Sequence, residues 1–225
     1  MKNICLFSFV VVALAFAGCS KTNNGPSNTA SVMFVNGCNG SSNIDTKIGG
    51  TKLTSASNIA YFNNSGYQTV TAGTGVSVNY YLTNQGTPLC NGTPTFAAGS
   101  HYSVFAGGII TAPTFVVTTD DVTAPAAGKA KVRFINLSSE ALNESFYIGS
   151  SKLDSNISPG SYSGFSEVTA TTGVQVLIQD PAQPTLLAQI ASQPLLAGKI
   201  YTIMLSGTST GTGSGVLTVT VINNN

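Results

Sequence analysis

One seven-residue phrase occurs twice, and its recurrence limits the possible folds more than any other feature of the chain. Ala30-Ser31-Val32-Met33-Phe34-Val35-Asn36 returns 100 positions later as Ala130-Lys131-Val132-Arg133-Phe134-Ile135-Asn136. The match continues downstream. Ile48-Gly49 and Lys52-Leu53 pair with Ile148-Gly149 and Lys152-Leu153 at the same offset. Val70-Thr71-Ala72 and Gly75-Val76 pair with Val168-Thr169-Ala170 and Gly173-Val174, 98 apart, and Ala98-Gly99 with Tyr102 pairs with Ala197-Gly198 and Tyr201, 99 apart. Turn glycines and apolar positions that recur together are the mark of tandem copies of one fold. The chain therefore divides into a first domain over 30–122, a linker over 123–128 and a second domain over 129–225. A linker this short, stiffened by Pro125, predicts an elongated rod with some hinge motion.

Within each copy the periodicity is that of strands. Val32, Phe34 and Asn36 alternate with Ser31, Met33 and Val35, a period of two. Further strands are predicted at Asp45–Ile48, Gly66–Thr71, Val76–Leu82, Tyr102–Ala106 and Thr114–Thr119, separated by Gly, Asn, Ser and Pro clusters. No stretch carries a capped 3.6-residue apolar period. Six or seven short strands in about 90 residues fit an immunoglobulin-like β-sandwich, so the expected class is all-β, with two tandem sandwiches.

Composition narrows the partners. Only 8% of residues are charged and the net charge is +1, which argues against nucleic acid, since phosphate binding needs clustered Lys and Arg. Arg133 is the single arginine. Beyond residue 18 no apolar run approaches the roughly 20 residues that span a bilayer. Polarity comes from Ser, Thr, Asn and Gly, the profile of an exported β protein.

The first residues read as a leader. Lys2 supplies the positive start, Ile4 to Ala17 an apolar stretch, and Ala17-Gly18-Cys19-Ser20 a small-residue site before a cysteine. This resembles a bacterial lipoprotein signal (1–18), with Cys19 as the acylated residue and Phe16 where leucine is usual. Ordinary cleavage after Ala15-Phe16-Ala17 is the alternative. Cysteine counting favours lipidation: Cys5 leaves with the leader, Cys19 takes the lipid, and Cys38 and Cys90 remain as a pair. Residues 19–29 then form a polar tether with a reach of roughly 15–20 Å.

The junction and the second copy point to a family. Asp120-Asp121-x-x-Ala-Pro-Ala-Ala-Gly128-Lys-Ala-Lys-Val-Arg-Phe-Ile-Asn136, with the later Leu196-Ala197-Gly198-Lys-x-Tyr201, is similar to the tandem lipoproteins of domain-of-unknown-function family 4397, common in Bacteroidota-type envelopes. The resemblance covers nearly all of the mature chain and is more specific in the second copy, because Met33 stands where the family's arginine falls. It implies an immunoglobulin-like sandwich on an anchored envelope protein, and it brings no activity and no functional residues.

Candidate sites are few. A Cys38–Cys90 disulfide would close a loop of about 52 residues, worth roughly 4 kcal/mol in the chain-entropy model; the alternatives are a reactive thiol or a metal ligand without a third partner. His101 is the single histidine, expected as a strand residue at the edge of the core, since Ile200 takes its place in the second copy. Glu140 and Glu144 read as solvated acids of a loop rather than a glycosidase pair. Asp120 and Asp121 read as a solvated junction, with calcium the lesser alternative. Tyr80 is expected in the core. Tyr81, with Tyr61 and Phe62, is the best candidate for a surface contact patch. No catalytic residue, cofactor or metal site is assigned.

The sequence thus suggests a non-catalytic lipoprotein of the cell envelope, anchored in the outer membrane on its periplasmic or surface side. Its sandwiches would act as an adhesion or ligand-binding module for a glycan or protein. The runner-up is a structural or assembly component that docks to other envelope proteins. The ligand and the oligomeric state are not legible.

Overall fold

The computed structural model describes residues 28–139, 143–182 and 185–225. The leader, Cys19, the tether up to residue 27 and Glu140 lie outside the described residues. Strands β1 (Thr29–Asn36), β2 (Ile44–Ile48), β3 (Thr51–Lys52), β4 (Asn64–Thr71), β5 (Val78–Leu82), β6 (Pro88–Gly92), β7 (His101–Ile109) and β8 (Ala112–Thr119) build the first repeat. Strands β9 (Lys129–Asn136), β10 (Glu144–Ile148), β11 (Ser151–Ile157), β12 (Ser166–Thr169), β13 (Thr171–Gln179), β14 (Leu186–Leu195), β15 (Ile200–Ser206) and β16 (Thr218–Asn223) build the second.

Each repeat is a sandwich of two four-stranded sheets. The first has the orders β4-β1-β7-β8 and β3-β2-β5-β6, and the second repeats them as β12-β9-β15-β16 and β11-β10-β13-β14. The opening and seventh strands of each copy pair in parallel, Val32 with Tyr102 and Val132 with Tyr201; the other pairings are antiparallel. These are two tandem β-sandwiches, as the period-two pattern predicts.

The repeated phrases have specific structural duties. Asn36 and Asn136 end the opening strands, and each carboxamide ties two loops to them. Asn36 donates to Ile59 O at 3.1 Å and accepts from Cys38 N, and Asn136 donates to Ile157 O at 2.9 Å and accepts from Ser138 N. The Ala-Gly-x-x-Tyr phrase is a corner. Gly99 and Gly198 take φ of +75° and +80°, which a side chain disfavours, and the Tyr102 and Tyr201 hydroxyls accept from Ala97 N and Leu196 N at 2.9 and 3.1 Å.

Three apolar cores follow from the alternation. Val32, Phe34, Val78, Tyr80 and Phe96 fill the first sandwich, and Val132, Phe134, Phe146, Ile178 and Ile203 the second. Tyr80 is fully buried and its hydroxyl donates to Val104 O at 2.7 Å. The opposite faces of β1 and β9 are buried as well. Met33, Val35, Phe105 and Val116 of the first repeat pack with Ile135, Leu137, Met204 and Ile222 of the second in a third core. The molecule is a four-layer stack with the β1 and β9 sheets back to back, and this corrects the expectation of a hinged rod. Separating the domains would expose the apolar side chains of this third core, and their burial holds the domains together.

Candidate functional site

Two features could carry function: a polar cluster locked between the domains, and a pair of clefts at equivalent places in the two repeats.

The cluster centres on the single arginine. Arg133 leaves β9 toward the first domain, where its Nη2 lies 2.7 Å from Asp120 Oδ1, with the two side chains 1% and 0% exposed. The carboxylate also accepts from Thr118 Oγ1 at 2.9 Å, Ser103 Oγ at 2.6 Å and the Tyr67 hydroxyl at 2.5 Å. Arg133 Nε donates to Thr202 Oγ1 at 2.8 Å, Thr202 donates on to Asn224 Oδ1 at 2.7 Å, and the guanidinium stacks over Phe165 at 4.6 Å. Asn224 Nδ2 closes the ring by donating to the Tyr67 hydroxyl at 3.2 Å. Burial, reinforced by the charge of Asp120, holds the Tyr67 hydroxyl far above its ordinary pKa, so it stays a donor. Asp120 is therefore not part of a solvated junction. Its oxygens are taken up by protein donors, and among the described residues no three potential metal ligands cluster.

Asp121, the neighbour, is about half exposed and pairs with Lys131 at 2.7 Å, while its Oδ1 accepts from Thr123 N and Oγ1. The bond from Lys131, then those from Thr123, lower its pKa to about 2. A depressed carboxyl stabilises above its unfolded value, near 3.9, and loses this as pH falls through its folded value. This linker clasp should therefore be complete at neutral pH and open between about pH 4 and pH 2. A carbonyl-detected NMR titration in which Asp121 moves with an ordinary midpoint would contradict it.

The clefts lie where each sandwich is open, between the β3 and β4 edges and between the β11 and β12 edges. The first encloses about 340 Å³ over Ile48, Leu53, Val70 and Val76, rimmed by Thr51, Thr69 and Thr71. The second encloses about 440 Å³ over Ile148, Leu153, Val168 and Val174, rimmed by Ser151, Thr169 and Thr171. The floors match residue for residue at the repeat offsets, and both volumes fall in the range of small-ligand sites. The rims differ. Lys52 is held by Asp45 at 2.7 Å, whereas at the second cleft Lys129 donates to Thr169 Oγ1 at 3.0 Å and Glu167 accepts from Ala126 N at 2.9 Å.

The aromatic trio is not brought together. Tyr61 stacks on Phe62 with ring centroids 3.8 Å apart, and Phe62 packs against the interdomain core. Ser206 commits its hydroxyl proton to Gly37 O at 2.7 Å, so Tyr61 donates to Ser206 at 2.9 Å, from one domain to the other. These two residues are half-buried contacts between domains rather than a free patch. Tyr81 lies on the outer face of the first sandwich, with Lys47 Nζ 4.0 Å from its ring centroid. His101 is half-buried in β7, edge-on to Tyr67 at 5.1 Å. Glu144 opens β10 and is fully buried, which corrects its reading as a solvated acid.

Cys38 and Cys90 also depart from expectation. Both are free thiols packed in the first core as small apolar side chains, and no disulfide joins them. Cys90 lies inside β6 opposite Tyr80 rather than in a turn. Burial pushes both thiols up to about 12, so almost none is thiolate at neutral pH. Iodoacetamide at pH 7.5 should leave both unmodified in the native protein. In denaturant without reductant it should label both; a requirement for reductant would show that they are bridged.

Among the described residues no helix is long and apolar enough to cross a membrane. A family model described as a domain of unknown function, DUF4397, matches residues 30–145. No curated protein sequence matches the chain. Two solved structures are similar at low identity. The C-terminal domain of AlgF from P. aeruginosa shares 19% identity over 43% of this chain and 98% of its own, with a TM-score of 0.32. A Bacteroides uniformis protein provisionally described as a cell adhesion protein shares 10% over 88% of this chain and 100% of its own, with a TM-score of 0.27.

Proposed function

The chain belongs to the DUF4397 family, and we propose that it is a non-catalytic, lipid-anchored envelope protein whose paired sandwiches form a ligand-binding module, with the two equivalent clefts as its binding places. The observation that carries this reading is the survival of the cleft floor in both copies. Ile48, Leu53, Val70 and Val76 keep their kind as Ile148, Leu153, Val168 and Val174, while the rims diverge. An apolar floor under a hydroxyl rim suits the face of a sugar ring or an extended peptide side chain. The anchor rests on the leader and Cys19.

Three of the acidic groups are engaged away from the cleft floors. Asp120, Asp121 and Asp45 are held in ion pairs. This favours binding over acid–base chemistry.

Two experiments test the reading. Titrating isotope-labelled protein with panels of oligosaccharides and short peptides should shift the signals of Leu53 and Leu153 together, and Thr51→Trp with Ser151→Trp should abolish the response. Shifts confined to other surfaces would remove the clefts from the proposal. For the anchor, Cys19→Ser should move the protein out of membrane fractions; retention there would refute lipidation. The stiffness of the four-layer block also suits the runner-up, an envelope spacer that docks other proteins. Protease treatment of intact cells separates the two, since surface exposure favours the binding module and protection until lysis favours the spacer.

A further inference from the structure

We propose that the end of the molecule from which the tether leaves is a cationic docking surface for the anionic phospholipid headgroups of the membrane. The inference extends the lipid-anchored reading and rests on it only for bringing this end close to a bilayer.

Strand register defines the two ends. Thr29 pairs with Thr71, Ser31 with His101 and Tyr102 with Thr119, so the entry of β1, the exit of β4, the entry of β7 and the exit of β8 lie together. In the second repeat Lys129 pairs with Thr169, Ile200 with Lys131 and Tyr201 with Asn223. The Arg133–Asp120 pair and the bond from Asn224 to Tyr67 put these two ends side by side. At the opposite end Ser206 meets Gly37, and Asn39 donates to Gly215 O at 3.3 Å. Both opening strands therefore run the same way. Asn28, where the described chain begins, accepts from Ala72 N at this first end.

Every lysine of the described residues falls in that half. Lys47 and Lys52 flank the β2–β3 turn, Lys152 follows the β10–β11 turn, Lys129 and Lys131 open β9, and Lys199 precedes β15. The chain's other two lysines, Lys2 and Lys21, lie outside the described residues. The same half also carries Asp45, Asp120, Asp121 and Glu167, fewer than its six lysines and Arg133. The far end, by contrast, holds Asp180 and the buried Glu144, and no lysine or arginine among the described residues. In a chain with only 8% charged residues, this segregation gives the molecule a polarity.

The lysines are not all neutralised locally. Lys52 and Lys131 pair with Asp45 and Asp121, but Lys47, Lys129, Lys152 and Lys199 make no ion pair with an acidic side chain. Lys47 and Lys152 stand over Tyr81 and Tyr147, and Lys129 and Lys199 reach Thr169 Oγ1 and Asn225 O. Such side chains can turn to a phosphate layer at little cost. Leu196, 51% exposed at the corner beside Lys199, adds an apolar tip at the same end. Cations around one exposed leucine match the boundary between headgroups and acyl chains.

The test uses the full-length lipidated protein on two kinds of vesicle, pure phosphatidylcholine and phosphatidylcholine with about 30% phosphatidylglycerol. Amine acylation is read by mass spectrometry. The expected result is at least about 5-fold slower modification of Lys129, Lys152, Lys199 and Lys47 on the anionic vesicles, relieved at high salt. Equal rates on both would overturn the surface. Failure to float with neutral vesicles would remove the anchor instead. The surface would then have to show itself through flotation on pure phosphatidylglycerol vesicles, lost in the variant with all four lysines changed to Gln. No flotation there, or flotation unchanged by the four substitutions, would overturn it.

Discussion

Asp120→Ala should cost about 3–5 kcal/mol of stability, and Arg133→Met a similar amount, because each leaves the other charge buried between the domains without its partner. The pair sits at 2.7 Å with essentially no solvent contact, so neither survivor can be rescued by water. Asp120 would also strand the Ser103, Thr118 and Tyr67 hydroxyls that point at it. The double change Asp120→Asn with Arg133→Met is different in kind. Repeat register places Met33 opposite Arg133 in the phrase and Asn224 opposite Asp120, so the double variant gives each domain what its twin already tolerates. A buried ion pair replaced whole is often close to neutral, and we expect the double variant within about 1 kcal/mol of the parent. Urea midpoints at constant slope measure this. A single variant as stable as the parent, or a double variant as damaged as the sum of the singles, would show that the pair does not act as a unit.

That the chain is two β-domains was legible because alternation and turn glycines are local signals. Their back-to-back packing was less so, although two features announced it. Val32 to Val35 is apolar at four consecutive positions, which a strand with one solvated face does not need and a strand buried on both faces does. Arg133, alone between Val132 and Phe134, is a charge in an apolar run and so calls for a buried partner. Asp120 could not be picked out as that partner by proximity in sequence, since Asp121 adjoins it and is solvent-facing. Strand β6 was missed for the opposite reason. Pro88-Leu89-Cys90-Asn91-Gly92 is turn-like in composition, and it becomes a strand because the edge of β5 accepts it. Tyr61 and Phe62 looked like surface aromatics because an Asn-rich turn surrounds them, and Phe62 does take a positive φ of 66°; the second domain, 145 residues away at Ser206, is what covers them. The clefts needed both copies at once. Each floor residue is an ordinary strand apolar, and only the shared opening at the sheet edges sets them apart.

Leu137→Ala should lower stability by about 2–4 kcal/mol, the cost of a cavity in a core that cannot easily close. Leu137 is fully buried and enters the first domain between two glycines. A Cβ on Gly37 would meet Leu137 Cδ1 at 2.7 Å and Met204 Sδ at 2.9 Å, and one on Gly107 would meet Leu137 Cδ2 at 2.8 Å. Gly37 is also the repeat counterpart of Leu137, so the two copies have diverged at one position into a knob and the space that receives it. This divergence gives the back-to-back packing a single register, which two identical faces would not fix. Gly37→Ala alone should therefore destabilise by about 1–3 kcal/mol through overpacking. In the Leu137→Ala background the same methyl loses its tightest contact and keeps the flexible Met204 Sδ and Ala106 O beside it. Its cost should fall, a coupling of at least about 1 kcal/mol. Independent, additive effects would mean that Leu137 does not seat against Gly37 in solution. Because Leu137 reaches from the second repeat into the first at this shared core, its truncation should also weaken the coupling between the two repeats. Calorimetry on the variant should show two transitions where the parent shows one.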